Sequence, residues 1–321
     1  MRITWEPAIY EHKAALIGKS PAEVANSCEL LVRAVLKEHK IYQADYITVG
    51  LDVYNIEAEA LGVQITVPGK NECPDLAGLL FDLDKLSAEL VLPDIPRAGR
   101  FSLLIEAGRK VQEAVGTESK VRVAASGPVT MAAKIAGLED LIISLCVRDG
   151  NAVRLLEFTT QIAEKWCSCL REKGLDVILF DSMVAPPIFS PDMYVEFALP
   201  LHQRLMRILV KSGQSERELV IGGNTTPIAG HLPRTGANIL LCDYVADAIA
   251  FKSALGNDSR LKVRRNINPA LLGGCHTEEL AEKFRAELSL FINPIAGTGI
   301  LPFDFNPGNF LDFKRLVTPQ L

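Results

Sequence analysis

Leu175-Asp176-Val177-Ile178-Leu179-Phe180 is an almost unbroken apolar run, closed by Asp181-Ser182-Met183. It follows residues 149–173, where apolar side chains recur at helical spacing. A run without polar alternation suits a strand covered on both faces, as in a parallel sheet. The same unit recurs along the chain. Similar runs occupy residues 46–51, 121–125, 218–221, 238–241, 262–265 and 290–294, with amphipathic stretches at 21–40, 101–115, 191–211 and 277–288. This order of strands and helices predicts an α/β fold on a parallel sheet. The number of units and the 321-residue length favour a closed (β/α)8 TIM-type barrel over an open doubly wound sheet. Pro and Gly are spread between elements, and no repeat or linker is visible. The chain therefore reads as one domain over residues 1–321, with residues 1–19 expected to form an N-terminal helical arm.

Composition narrows the function. With 48% apolar and 23% charged residues, a large core can be buried and disorder is disfavoured. The net charge of -5, with no basic run interleaved with aromatics, argues against nucleic-acid binding. No stretch of 18 apolar residues and no apolar leader is present, so neither a membrane span nor export is expected. The seven cysteines are odd in number and scattered, which suits reduced thiols in the cytoplasm.

In parallel barrels the chemistry sits just after the strands. The segments in those places supply Asp52, Asp181, Asp243 and Glu57 as catalytic candidates. Tyr54, Asn55, Met183, Asn224, Arg265, Asn266 and Thr298 are candidates for binding a substrate. If the barrel closes, all of them face one mouth, a set able to hold a polar ligand or a metal, or to move protons. Each Asp has a competing role, since an Asp after a strand often caps the next helix. Asn224 competes in the same way, and Asn266 can form a turn. Cys167 and Cys169 lie two apart on a helical stretch, so they point apart and read as buried thiols. Cys275-His276 lacks partners at metal spacing, and Cys242, beside Asp243, is the one thiol near the expected mouth. His12, His39 and His202 have no evident partner, and His231 reads as a surface residue.

These segments, from about residue 44 to 317, resemble the uroporphyrinogen decarboxylase superfamily, which includes methyltransferases that serve corrinoid proteins. Asp52 followed by Glu57-Ala58-Glu59-Ala60-Leu61-Gly62 is similar to a segment of the methyltransferase branch. So are Pro93-Asp94-Ile95-Pro96 with Gly99-Arg100, Gly127-Pro128-Val129-Thr130, and Ile188-Phe189-Ser190-Pro191 before a helix holding Phe197-Ala198-Leu199-Pro200. Gly223-Asn224-Thr225, Asn266-Ile267-Asn268-Pro269 and Gly297-Thr298-Gly299-Ile300-Leu301-Pro302 match the remaining punctuation. The resemblance implies a (β/α)8 barrel.

Departures from the family pattern guide the functional expectation. The Arg-rich segment that grips carboxylates in the decarboxylases is missing from the N-terminus; Met131 to Lys134 stand where they carry a Tyr, and Thr298 where they carry a His. A substrate with many carboxylates calls for several Arg, so porphyrinogen decarboxylation is disfavoured. The thiol-methylating branch carries zinc on a His-x-Cys pair and a later Cys; here those positions read Val220, Gly222 and Thr298. No metal can be assigned, and zinc stays open. What the resemblance then implies is transfer of a methyl group from a small donor, such as a methoxylated aromatic or a methylamine, to a corrinoid (cobalamin) carried by a partner protein. Arg265, Tyr54 or a metal held by carboxylates would assist the leaving group. A carboxy-lyase acting on a porphyrin or a smaller acid, and a non-catalytic binding protein, are the alternatives. A homodimer is plausible from the family.

Overall fold

A computed structural model describes residues 3–86 and 90–318. Ten strands follow one another along the chain: β1 Thr4–Ala8, β2 Tyr46–Val49, β3 Ile65–Thr66, β4 Asp75–Leu76, β5 Lys120–Ser126, β6 Asp176–Phe180, β7 Glu218–Val220, β8 Ile239–Cys242, β9 Lys262–Ile267 and β10 Pro294–Ile300. Eight of them form one parallel sheet in the order β1-β10-β9-β8-β7-β6-β5-β2, while β3 and β4 make a small antiparallel pair. Between β1 and β2 the barrel nearly closes: Asp45 donates its N–H to the Trp5 carbonyl, and Trp5 N–H reaches Asp45 Oδ2 at 2.7 Å. The expected (β/α)8 barrel is present.

Two boundaries differ from the sequence reading. Over its described part, residues 3–19, the expected helical arm is not formed: this stretch contains the first barrel strand, followed by the short helix Glu11–Ala15. Glu6 and Pro7 break the apolar pattern that marks the other strands, because Glu6 points into a charged barrel interior. The last strand begins where the expected run ends. Residues 290–294 lead into it, and β10 itself runs through Ala296-Gly297-Thr298-Gly299, of which the alanine and the two glycines have low strand propensity. Thr298 is thus inside a strand, not after one.

The helical stretches fall where spacing placed them. Phe101–Val115 and Gly150–Glu172 pack on the outside of the sheet, with Asp149 capping the second through the Asn151 N–H. Trp166 from that helix is fully buried, lies 4.4 Å from Phe101 between ring centroids, and donates its indole N–H to Ala124 O. Cys167 on the same helix is buried, and burial pushes its thiol up to about 12, which fits a packing role.

The barrel interior is layered, as strand tilt requires. Tyr46, Ile239 and Ile295 form the lower apolar cluster. Above it four charged side chains, Glu6, Arg122, Glu218 and Arg264, come from β1, β5, β7 and β9, which are alternate strands of the barrel. Arg122 bonds Glu6 at 2.5 Å and also bonds Glu218; Arg264 bonds Glu6 and lies 3.0 Å from Glu218. Val53, Ala124, Ile178, Phe180, Val220 and Leu241 close the layer above that. The two positive and two negative charges match, which is what allows four such groups out of water together.

Candidate active site

A cavity of about 550 Å³ opens over this upper layer, at the C-terminal ends of the strands. That volume suits a small molecule. Ala8 reaches it at the end of β1, Tyr10 and Glu11 after β1, residues 51–55 after β2, Ser182 after β6, Gly222 after β7, and Asp243 and Tyr244 after β8. Arg264 and Asn266 reach it from within β9, and Gly299 and Ile300 from the end of β10. The segment between β3 and β4 roofs one side with Cys73, Pro74 and Asp75.

Five of the eleven residues proposed from sequence line the cavity: Asp52, Tyr54, Asn55, Asp243 and Asn266. Asp52 is gripped by both terminal nitrogens of Arg100, at 3.1 and 2.6 Å, and Arg100 also holds Glu59. Burial pushes the Asp52 carboxyl above its ordinary value, with Arg100 opposing. Tyr54 shares a 2.8 Å hydrogen bond with Ser182 Oγ, and burial raises its phenol to about 12, so it is a proton donor at neutral pH. Asp243 accepts from three donors, the N–H groups of Gly223 and Tyr244 and the side chain of Asn266 at 3.1 Å. Asn55 donates to the Pro74 carbonyl at 2.6 Å, anchoring the roof to the barrel.

The other six lie elsewhere. Asp181 is fully buried; its two oxygens accept from the Thr130 N–H at 2.7 Å and from His202 Nε2 at 2.9 Å. It therefore caps the Pro128–Ala136 helix from a neighbouring strand, and His202 has a partner after all, with Tyr194 OH on its other ring nitrogen. The backbone at Gly127 passes so close that an added Cβ would sit 2.2 Å from Asp181 Cβ, so only glycine fits there. His12 is also held, between Phe303 O and Tyr42 OH. Met183 is part-buried among apolar neighbours, with its N–H on Thr130 Oγ1. Asn224 is exposed and caps the following turn through Thr226 N–H. Thr298 Oγ1 accepts the Ala8 N–H, stitching β10 to β1.

Arg265 faces outward, where it bonds Glu287 and the carbonyls of Asp243 and Ala246. The residue before it, Arg264, faces the cavity. Alternation along a strand decides this, and a run of two arginines does not reveal which one points in. Tyr10, Glu11, Phe180 and Ser182 were also missed; Tyr10 and Glu11 follow the unrecognised first strand, whereas Ser182 stood in the quoted segment beside Asp181.

Glu57, also outside the cavity, accepts from Ser126 N–H at 2.8 Å and lies 2.7 Å from Ser126 Oγ, which also reaches Val53 O. Burial raises its carboxyl above its ordinary value, with the hydrogen bonds from Ser126 opposing. A raised acid stabilises the fold fully below its unfolded value and loses that contribution as pH rises through the folded value. Glu57→Gln is therefore expected to flatten the decline of stability as pH rises above the ordinary carboxylate range. Urea titrations across pH test this, and an unchanged profile would rule out the upward shift.

No group of three or more His, Cys, Asp or Glu side chains is placed to hold a metal among the described residues. Of the zinc positions of the thiol-methylating branch, Val220 and Gly222 border the cavity without a ligating side chain, and the Thr298 hydroxyl is engaged. The donor set does not fit zinc. Cys242 is buried, with its thiol pushed up to about 11 by burial, and Arg265 lies 3.5 Å from its sulfur.

A barrel with its cavity at the strand ends is an enzyme-type architecture. Residues 7–298 match the uroporphyrinogen decarboxylase (URO-D) family, and the chain belongs to it. Among characterised relatives, it is 23% identical over 289 residues to methylcobamide:CoM methyltransferase MtaA of Methanosarcina barkeri, covering 89% of this chain and 83% of the relative. It is 24% identical over 270 residues to methylcobamide:CoM methyltransferase MtbA of Methanosarcina acetivorans, covering 82% and 76%. A methyltransferase from Methanosarcina mazei has the same fold, with a TM-score of 0.83 at 20% identity over 98% of this chain and 92% of that one.

Proposed function

We propose that this protein is a methyltransferase that moves a methyl group from a small donor, such as a methoxylated aromatic or a methylamine, to a corrinoid carried by a partner protein. The observation that carries the reading is a small-molecule cavity at the barrel mouth whose thiol-activating positions are Val220 and Gly222. Without ligands there, the chain has no means to make a zinc-bound thiolate, so the acceptor must bring its own nucleophile. A reduced corrinoid supplies one. The cavity is too small to enclose a corrinoid, which leaves the partner at the open mouth and the donor beneath it. The relatives, methylcobamide:CoM methyltransferases by name, support methyl transfer involving a corrinoid.

The chain's own residues would hold the donor and aid its departure. Asp243, fixed by three donors, and Asn266 orient one end. Asp52, immobilised by Arg100, shapes the opposite wall, and the Tyr54 hydroxyl can give a hydrogen bond to a departing oxygen. A porphyrin-like polycarboxylate suits the cavity poorly, because five carboxylates line it against two cations, Arg264 and Lys134. The described cysteines are all free, which fits work in the reducing cytoplasm, and no described helix is long and apolar enough to cross a membrane.

The test is a Co(I) corrinoid methylation assay with pooled methoxyarenes and methylamines, followed by visible absorbance. Loss of the Co(I) band with one pool is expected. No change, with a corrinoid protein shown to be competent with another enzyme, overturns the reading. Asp243→Ala is expected to lower kcat/KM by about 100-fold while costing only about 1 kcal/mol of stability. A variant that keeps full activity would remove Asp243 from the site.

A further inference from the structure

We infer that the cavity binds a small methylated ammonium group, and that this cation is the methyl donor; the second half rests on the methyltransferase reading. Charge is the first ground. Glu11, Asp52, Glu72, Asp75 and Asp243 line the cavity. Its two cations are already engaged: Lys134 pairs with Asp75 at 2.7 Å, and Arg264 lies between Glu6 and Glu218. Among the described residues, neither Glu11 nor Asp243 has a cationic partner within the cavity; Glu11 meets a backbone N–H and the Cys73 thiol, the latter at 3.9 Å, and Asp243 meets neutral donors.

An orphaned acceptor is the second ground. Asn55 and Asn266 line the cavity, each only 4% exposed, and each uses its amide N–H while its Oδ1 has no partner. The amide orientations follow from their partners, since the Pro74 carbonyl and the Asp243 carboxylate can only accept. Asn266 Oδ1 lies against Gly297, where an added Cβ would sit 2.3 Å from it, so the Asn55 oxygen is the acceptor that a ligand carrying N–H or O–H can meet. Aromatic faces are the third ground. Three of the six tyrosines of the chain, Tyr10, Tyr54 and Tyr244, line this one cavity together with Phe180. Tyr10 and Tyr54 each pack edge-on against Phe180, with centroids 6.1 Å away, so rings at differing angles border the same space. Aromatic faces beside carboxylates attract a cation and accept its methyl groups.

The leaving group separates the donors the cavity could take. A methoxyarene departs as a phenolate, which would set new negative charge beside Asp52, Asp243 and Glu11. In an ammonium the C–N bond breaks with its electron pair staying on nitrogen, which leaves as a neutral amine and needs no proton from the protein. The methyl carbon bonds to the electron pair of the reduced corrinoid that the partner brings.

The test is titration calorimetry of the full chain at low ionic strength. The probes are choline, glycine betaine, their uncharged-carbon counterparts 3,3-dimethyl-1-butanol and 3,3-dimethylbutanoate, and a methoxyphenol. At least one cation is expected to bind about tenfold or more tighter than its carbon counterpart. Glu11→Gln and Asp243→Asn are each expected to weaken the cation several-fold and leave the carbon counterpart unchanged, with the urea midpoint confirming the fold. Equal binding of cation and counterpart, or tightest binding of the methoxyphenol, overturns the inference. The methylation assay with the same ligands separates the two readings. A cation that binds selectively but yields no transfer refutes the donor role and leaves the binding site. A demethylated methoxyphenol with no cation binding refutes the site and leaves the methyltransferase.

Discussion

Asp181→Ala is expected to lower the free energy of unfolding by about 3 kcal/mol, seen as a lower urea midpoint at unchanged slope. The carboxylate is fully buried and accepts from the Thr130 N–H and from His202 Nε2. Alanine would leave both donors unpaired where no water reaches. Thr130 lies in the first turn of the Pro128–Ala136 helix, whose own cap residue is Gly127 and has no side chain to offer. A charge from the next strand therefore satisfies an N–H group that the helix cannot. Asp181→Asn keeps one acceptor and is expected to recover part of the loss. Gly127→Ala is expected to be at least as damaging, because its Cβ would overlap the Asp181 side chain. Activity lost by Asp181→Ala at an unchanged midpoint would instead place the residue in the chemistry.

Arg122→Leu is expected to cost about 4 kcal/mol, since it breaks a buried ion cluster from one side. Glu6 and Glu218 would then depend on Arg264 alone, with both carboxylates inside the barrel. Burial already pushes Glu218 up to about 7, while the two arginines hold Glu6 below its usual range. Arg122→Leu combined with Glu218→Leu restores the balance of charge and is expected to regain much of the loss. A double-mutant cycle measures the coupling directly. If the double variant is no more stable than the single one, packing rather than charge balance governs that layer. The cluster also bears on the site above it, because Arg264 belongs to both: its charge is matched from below before any ligand arrives.

Much of this barrel was legible from alternation alone. Strands β2, β5, β6, β7, β8 and β9 sit within a residue or two of their apolar runs, because a strand covered by helices on one side and packed inside a barrel on the other has little room for polar residues. Strands β1 and β10 escaped for separate reasons. Glu6 and Pro7 interrupt the short run of β1, and Gly297 and Gly299 leave β10 few apolar side chains, Gly297 because an added Cβ would meet Asn266 and Arg264. The candidate site was legible by position, since residues after strands do gather at one mouth. Its membership was not, because Asp52, Asp181 and Asp243 look alike in sequence.

The sequence by itself determined the α/β class, the parallel sheet and the family, because burial on both faces and helical spacing leave marks that need no partner. The tertiary structure decided which polar groups are free to act. Asp181 is consumed by a helix end and a histidine, Arg265 is turned outward by strand alternation, and Asn55 is left with an open acceptor. A hydrogen bond is settled by which group from elsewhere in the chain arrives within about 3 Å, and that depends on the closed barrel, not on neighbours in sequence.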